Sequence, residues 1–142
     1  MSLRVVLDTN VLVSGLLSEN GPPGQILDLL LSSQLILVFD NPILSEYMEV
    51  LARPKFNFDS VIVSGVFKVL EKEGVLISTP PPWPHTLPDP DDEIFLAVAK
   101  ESEVILITGN LVHYPVKTRG GVKVFTPREF IEHLKKNPII HS

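Results

Sequence analysis

Five short apolar runs recur along the chain, each separated from the next by a longer helical pattern. They are LRVVL (3–7), LILVF (35–39), VLIS (75–78), VILIT (104–108) and VKVF (122–125). Four of them carry almost no polar relief, as strands do when both faces are covered. Lys123 interrupts the fifth and marks it as an edge strand. Helical patterns fall near 10–17, 24–32, 42–52, 59–73, 91–101 and 127–136. This alternation predicts an α/β fold: a five-stranded parallel sheet sandwiched between helices, with right-handed crossovers.

The helix starts are legible. Asn41-Pro42, Asp89-Pro90 and Thr126-Pro127 each place a capping side chain before a proline at the first helical position. Thr126-Pro127-Arg128-Glu129 reads as a capping box. Gly21-Pro22-Pro23-Gly24 punctuates the entry to another helix. Residues 79–90, TPPPWPHTLPDP, hold six of the 13 prolines. Neither flank is large enough for a core of its own, so this is a stiff loop inside one domain covering 1–142.

Absences bound the function. There is no cysteine, hence no disulfide framework and no thiolate chemistry. No apolar run reaches the length of a membrane span, and the start lacks a signal-peptide pattern. A cytoplasmic location is the expectation. The net charge of -5 counts against a nucleic-acid partner. That argument reverses locally if several acids converge on divalent cations.

In an open parallel sheet, ligands bind beyond the carboxyl ends of the strands. The first strand ends at Asp8, and the second at Asp40-Asn41, with Glu46 in the helix that follows. The fourth ends at Thr108-Gly109-Asn110. The helix before it opens with Asp89-Pro90-Asp91-Asp92-Glu93. Glu46 lies beside the apolar arc of Ile43, Leu44, Tyr47, Val50 and Leu51, whereas Ser45 and Glu49 face solvent. The next helix, Ile94–Ala99, is apolar all round, which fixes Asp92 near the sheet. Converging carboxylates need a positive partner. Oxygen-only ligands suit Mg²⁺ or Mn²⁺, the ions of phosphoryl transfer.

Each of these groups also has an ordinary reading. Asp89 and Asp92 serve as helix caps, and Asp91 and Glu93 as solvated first-turn charges. Glu46 alone is a helix-surface acid. Asp8 could cap a helix starting near Asn10, although Asn10 can do so itself. The four histidines, His113 included, read as surface residues, and Trp83 as a packing anchor. Arg53, Lys55, Lys117 and Arg119 form a solvated rim or, alternatively, phosphate contacts.

Four segments in order, VVLDTNVLVSG, NPILSEYMEVL, DPDDEIFLAVA and VILITGN, resemble the PIN-domain (PilT N-terminus) ribonucleases, including VapC-like toxins of toxin–antitoxin pairs. The resemblance implies a PIN-like fold and metal-dependent endoribonuclease activity with Mg²⁺ or Mn²⁺. Carried over, the catalytic and metal-binding acids match Asp8, Glu46 and Asp92, with Asp89 as an additional ligand. The fourth acid of the pattern falls on Asn110, a departure that puts a second ion in doubt. Thr9, Asn10 and Thr108 match its supporting polar positions. The implied partners are RNA, an antitoxin protein and a second copy of the chain. Two rival classes stay open. One is a PIN-fold RNA- or protein-binding module without turnover. The other is an aspartate-dependent phosphatase or receiver domain. It fits worse, since Asn10 stands where a second aspartate is wanted and Lys123 lies inside its strand rather than at the end.

Overall fold

The computed structural model describes residues 3–138. The ends of the expected 1–142 domain, residues 1–2 and 139–142 with His141 among them, lie outside the described residues. The elements run β1 (Leu3–Leu7), α1 (Thr9–Leu17), α2 (Pro22–Leu31), β2 (Leu35–Phe39), α3 (Asn41–Leu51), α4 (Ser60–Glu73), β3 (Val75–Leu76), α5 (Glu93–Ser102), β4 (Ile105–Ile107), β5 (Val124–Phe125) and α6 (Pro127–Lys136). All strand pairs are parallel, and the order across the sheet is β3-β2-β1-β4-β5. β1 is thus the central strand. It pairs Val5 with Leu37 on one side and Leu7 with Ile107 on the other.

The apolar strands are buried as both-face covering demands. Val5, Val6, Leu7, Leu37, Val38, Leu106 and Ile107 are essentially inaccessible. β5 is an edge, as Lys123 suggested, and Lys123 itself is exposed just before it. The two edge strands are shorter than their apolar runs: β3 keeps Val75–Leu76 of 75–78, and β5 keeps Val124–Phe125 of 122–125. The inner strand β4 is trimmed as well, to Ile105–Ile107 of 104–108, so edge position alone does not set the length.

The caps hold with two shifts. Thr126 and Glu129 form the reciprocal capping box at α6. At α3 the cap is Asp40, whose carboxylate accepts from Ile43 N at 3.0 Å, and Asn41 is already helical. The helix expected over 91–101 begins as a 3₁₀ turn, Pro90–Asp92, and becomes α-helical only at Glu93. In the proline-rich stretch, Leu87 is buried and Trp83 is half-buried, its Nε1 donating to Thr118 O at 2.9 Å. Gly120 faces that ring in a left-handed conformation (φ 61°), where an added Cβ would lie 2.8 Å from Trp83 Cη2. The loop is thereby pinned to the far side of the chain, and the anchor role of Trp83 is fulfilled.

Candidate metal centre

Asp8 leaves the end of β1 at the carboxyl edge of the sheet. Its backbone N donates to Ile107 O at 2.9 Å, and its side chain caps α1. The helix starts at Thr9, one residue before Asn10, so Asp8 is a cap and a site candidate at once. Asn10 is freed from capping, and its Oδ1 accepts from Gly109 N at 3.0 Å, tying α1 to the end of β4. Asp8 is only 4% exposed. Its Oδ2 accepts from Tyr114 OH at 2.7 Å and Thr108 Oγ1 at 3.0 Å, whereas Oδ1 has only a 3.4 Å contact to Asn10 N. Burial pushes the Asp8 carboxyl up from its ordinary range, against the pull of these donors. Burial and the neighbouring Asp8 charge push the Tyr114 phenol far up as well, so Tyr114 stays a donor. Arg119 Nε donates to Tyr114 O at 2.6 Å and holds that segment in place.

Glu46 stands on the second turn of α3. Tyr47 beside it is fully buried and donates to Leu7 O at 2.5 Å, which locks the helix against β1. Glu46 is half-buried and its Oε2 accepts from Thr9 Oγ1. The helical arc placed Glu46 at the rim of the buried face, and there it is. Thr9 thus supports the second acid rather than the first.

Asp92 closes the 3₁₀ turn ahead of α5. Asp89 caps that turn, accepting from Asp91 N at 3.0 Å. Asp92 makes no capping bond, so the cap reading applies to Asp89 and fails for Asp92. Phe95, Leu96, Val98 and Ala99 bury α5, as its apolar sequence required. Asp92 is 8% exposed, and its Oδ2 is buried without an aligned hydrogen bond. His113 Nδ1 lies 3.0 Å from that oxygen. Burial first, and then the charges of Asp8 and Asp89, push the Asp92 carboxyl up to about 7, against the attraction of His113.

One donor atom each of Asp89, Asp92 and His113 lies within 4.8 Å of the others. His113 is a surface residue, its side chain 36% exposed, but its ring is turned to the acids. It is half-buried and faces the acids, because two 3₁₀ turns, Leu111–His113 and Val116–Thr118, fold the β4–β5 connection back over the sheet edge. Asn110 belongs to the same corner: its N donates to Thr108 Oγ1 at 3.1 Å, and its Nδ2 lies 2.9 Å from His113 Nε2. Tyr114 was missed altogether. The available signal was Asn110-x-x-His113-Tyr114 directly after a strand end, a one-turn spacing that returns both side chains to the edge just left.

The four basic candidates behave differently. Arg53 is paired with Glu49 at 2.9 Å on the surface, and Lys55 sits 5.0 Å over the Phe56 ring. Lys117 is exposed, and Arg119 is committed to the Tyr114 carbonyl. The acidic corner itself suits a cation. It combines carboxylates that repel one another with a buried oxygen that has no proton donor aligned on it, a combination a divalent ion relieves.

A family model described as PIN domain matches residues 4–111. The chain belongs to the PIN-domain family. An uncharacterized protein of Methanocaldococcus jannaschii, MJ1680, is 32% identical over 146 residues, spanning 96% of this chain and 94% of its own length. Among solved structures, FitAcB of Neisseria gonorrhoeae aligns with a TM-score of 0.57 at 18% identity, over 87% of this PIN domain and 98% of that chain. VapBC2 of Rickettsia felis, bound to a DNA fragment from their promoter, aligns with a TM-score of 0.58 at 13% identity, over 87% and 98% of the two chains. These likenesses agree with the five-stranded parallel sheet and its flanking helices. The family match ends at Leu111, so His113, Tyr114 and Arg119 of this PIN domain lie beyond it. Among the described residues, no helix is long and apolar enough to cross a membrane.

Proposed function

We propose that this PIN domain is a metal-dependent endoribonuclease that hydrolyses RNA phosphodiester bonds. The observation that carries the proposal is that Asp8 and Asp92, from separate elements, are bridged at one sheet edge by adjacent residues: Tyr114 donates to Asp8 Oδ2 at 2.7 Å, and His113 Nδ1 lies 3.0 Å from Asp92 Oδ2. Asp8, Glu46 and Asp92 are the ligands and catalytic acids, and Asp89 joins them at the margin. A bound Mg²⁺ or Mn²⁺ supplies charge neutralisation at the phosphate and a more acidic water.

The chain's own part is positioning. Thr108 and Tyr114 fix Asp8 through Oδ2 and leave Oδ1 as its freer oxygen. Thr9 fixes Glu46, and Asn10 ties α1 to Gly109 so that Asp8 and Thr108 keep their spacing. Asp92 offers an oxygen already withdrawn from water. Lys117, Arg53 and Lys55 supply contacts to the phosphate backbone.

A cytoplasmic toxin role, with an antitoxin partner and a homodimer, accompanies the reading. It is supported by membership of the PIN-domain family and by the fold shared with FitAcB and VapBC2. The test is cleavage of RNA with Mg²⁺ or Mn²⁺ against EDTA, with Asp8→Asn alongside. Cleavage should need the ion and fall about a thousandfold in the variant, the several kcal/mol that metal catalysis contributes. Equal cutting by Asp8→Asn defeats the assignment. One observation favours a binding module without turnover: Asn110 brings no charge to the fourth position. Calorimetry with Mn²⁺ decides, because a module of that kind takes up no ion at millimolar concentration.

A further inference from the structure

Among the described residues, the group of three ligating side chains whose donor atoms fall within 4.8 Å of one another is not all-carboxylate. It contains the imidazole of His113 with Asp89 and Asp92. Two details describe the Asp92–His113 pair within it. Asp92 is 8% exposed as a residue and 11% as a side chain, and its Oδ2 atom is itself buried. His113 Nδ1 lies 3.0 Å from that oxygen. Adjacent donors on an octahedral ion with bonds of about 2.1 Å stand about 3 Å apart, so the spacing is also that of two ligands of one ion.

Asn110 completes the arrangement from behind. Its amide lies 2.9 Å from His113 Nε2. A half-turn of that amide exchanges its nitrogen for its oxygen. With the oxygen inward, Asn110 accepts from Nε2–H and leaves the Nδ1 lone pair free beside Asp92. A metal-bound histidine commonly has its other ring nitrogen held by such a partner.

We propose that His113 Nδ1 is a metal ligand together with Asp89 and Asp92, and that this nitrogen-containing set selects Co²⁺ or Zn²⁺ over Mg²⁺. Imidazole favours later first-row ions, whereas Mg²⁺ takes oxygen ligands. Asn110, the departure from the acidic pattern, then orients the ligand in place of being one. The inference deepens the metal-dependent reading above and rests on it for the presence of an ion.

The test uses the full chain and the metals alone. Calorimetry compares Co²⁺ with Mg²⁺, and pulsed electron paramagnetic resonance on the Mn²⁺-loaded protein looks for coupling to ¹⁴N. The parent should bind Co²⁺ at least about tenfold more tightly than Mg²⁺ and show nitrogen coupling. His113→Ala should lose the coupling and at least about tenfold in Co²⁺ affinity, with Mg²⁺ affinity nearly unchanged. His113→Asp keeps a donor and the packing, loses the coupling, and should move the preference back toward Mg²⁺. Bound Mn²⁺ without nitrogen coupling in the parent overturns the proposal, as does coupling that survives in His113→Ala. Neither result touches the nuclease reading, which fails separately if Asp8→Asn cuts RNA as well as the parent in Mg²⁺.

Discussion

Asp8 and Asp92 share one acidic corner and are held in opposite ways. Asp8 is buried under two hydroxyl donors, from Thr108 and Tyr114. Asp92 is buried beside like charges with no aligned donor on Oδ2. The first carboxylate is part of the scaffold, and the second is stressed by it. In the metal-free protein, substitutions at the two should therefore differ in sign as well as in size.

The largest effect falls on the supported side. Asp8→Ala leaves two buried hydroxyls unpaired and removes the cap of α1. It should cost about 3–5 kcal/mol in urea unfolding, the sum of two lost partners and one cap. A loss below about 1 kcal/mol would erase the contrast. Tyr114→Phe removes one of the two donors and should cost about 1–3 kcal/mol. It should also slow RNA cleavage by about 10–100-fold, as expected when a ligand loses its outer partner.

Asp92 sets the opposite trend. Its carboxyl is raised from 3.8 to about 7 in the folded state, so the native protein binds more protons than the unfolded chain between these values. Stability in EDTA should then fall as pH rises through that window. Thermal melts should drop by roughly 2–6 °C between pH 5 and pH 8. Asp92→Asn should flatten that slope and melt above the parent at pH 8, and saturating Mn²⁺ should restore the parent. An unchanged slope in Asp92→Asn would show that its carboxylate is not strained. Thr9→Val gives the smallest effect, because Glu46 is half-exposed and water can replace the lost donor. A cost of about 0.5–1.5 kcal/mol is expected by the same unfolding measurement.

The same two residues show what sequence could reveal. The apolar run before Asp8 and the all-round apolar helix after Asp92 are periodic signals, and each fixes an acid at its end. Glu46 followed from the arc of a single helix. His113 and Tyr114 lie in a connection of 3₁₀ turns, where no period relates a residue to the face it presents. Their placement is set by contacts made across the chain, Tyr114 to Asp8 and His113 to Asp92. The cap at α3 shifted by one residue for a similar reason, since Asp40 and Asn41 are both good caps and only the end of β2 decides between them.

β1 is synthesised first and ends in the middle of the sheet, between β2 and β4. Thr108 and Tyr114 follow Asp8 by 100 and 106 residues. At about 5–20 residues per second, a ribosome delivers them roughly 5–20 s after Asp8. Until then the first acid has neither of its donors, and β1 has an open edge where β4 will pair. A chain still being translated therefore holds an unfinished centre, and ordering of the acidic corner is tied to completion of nearly the whole domain.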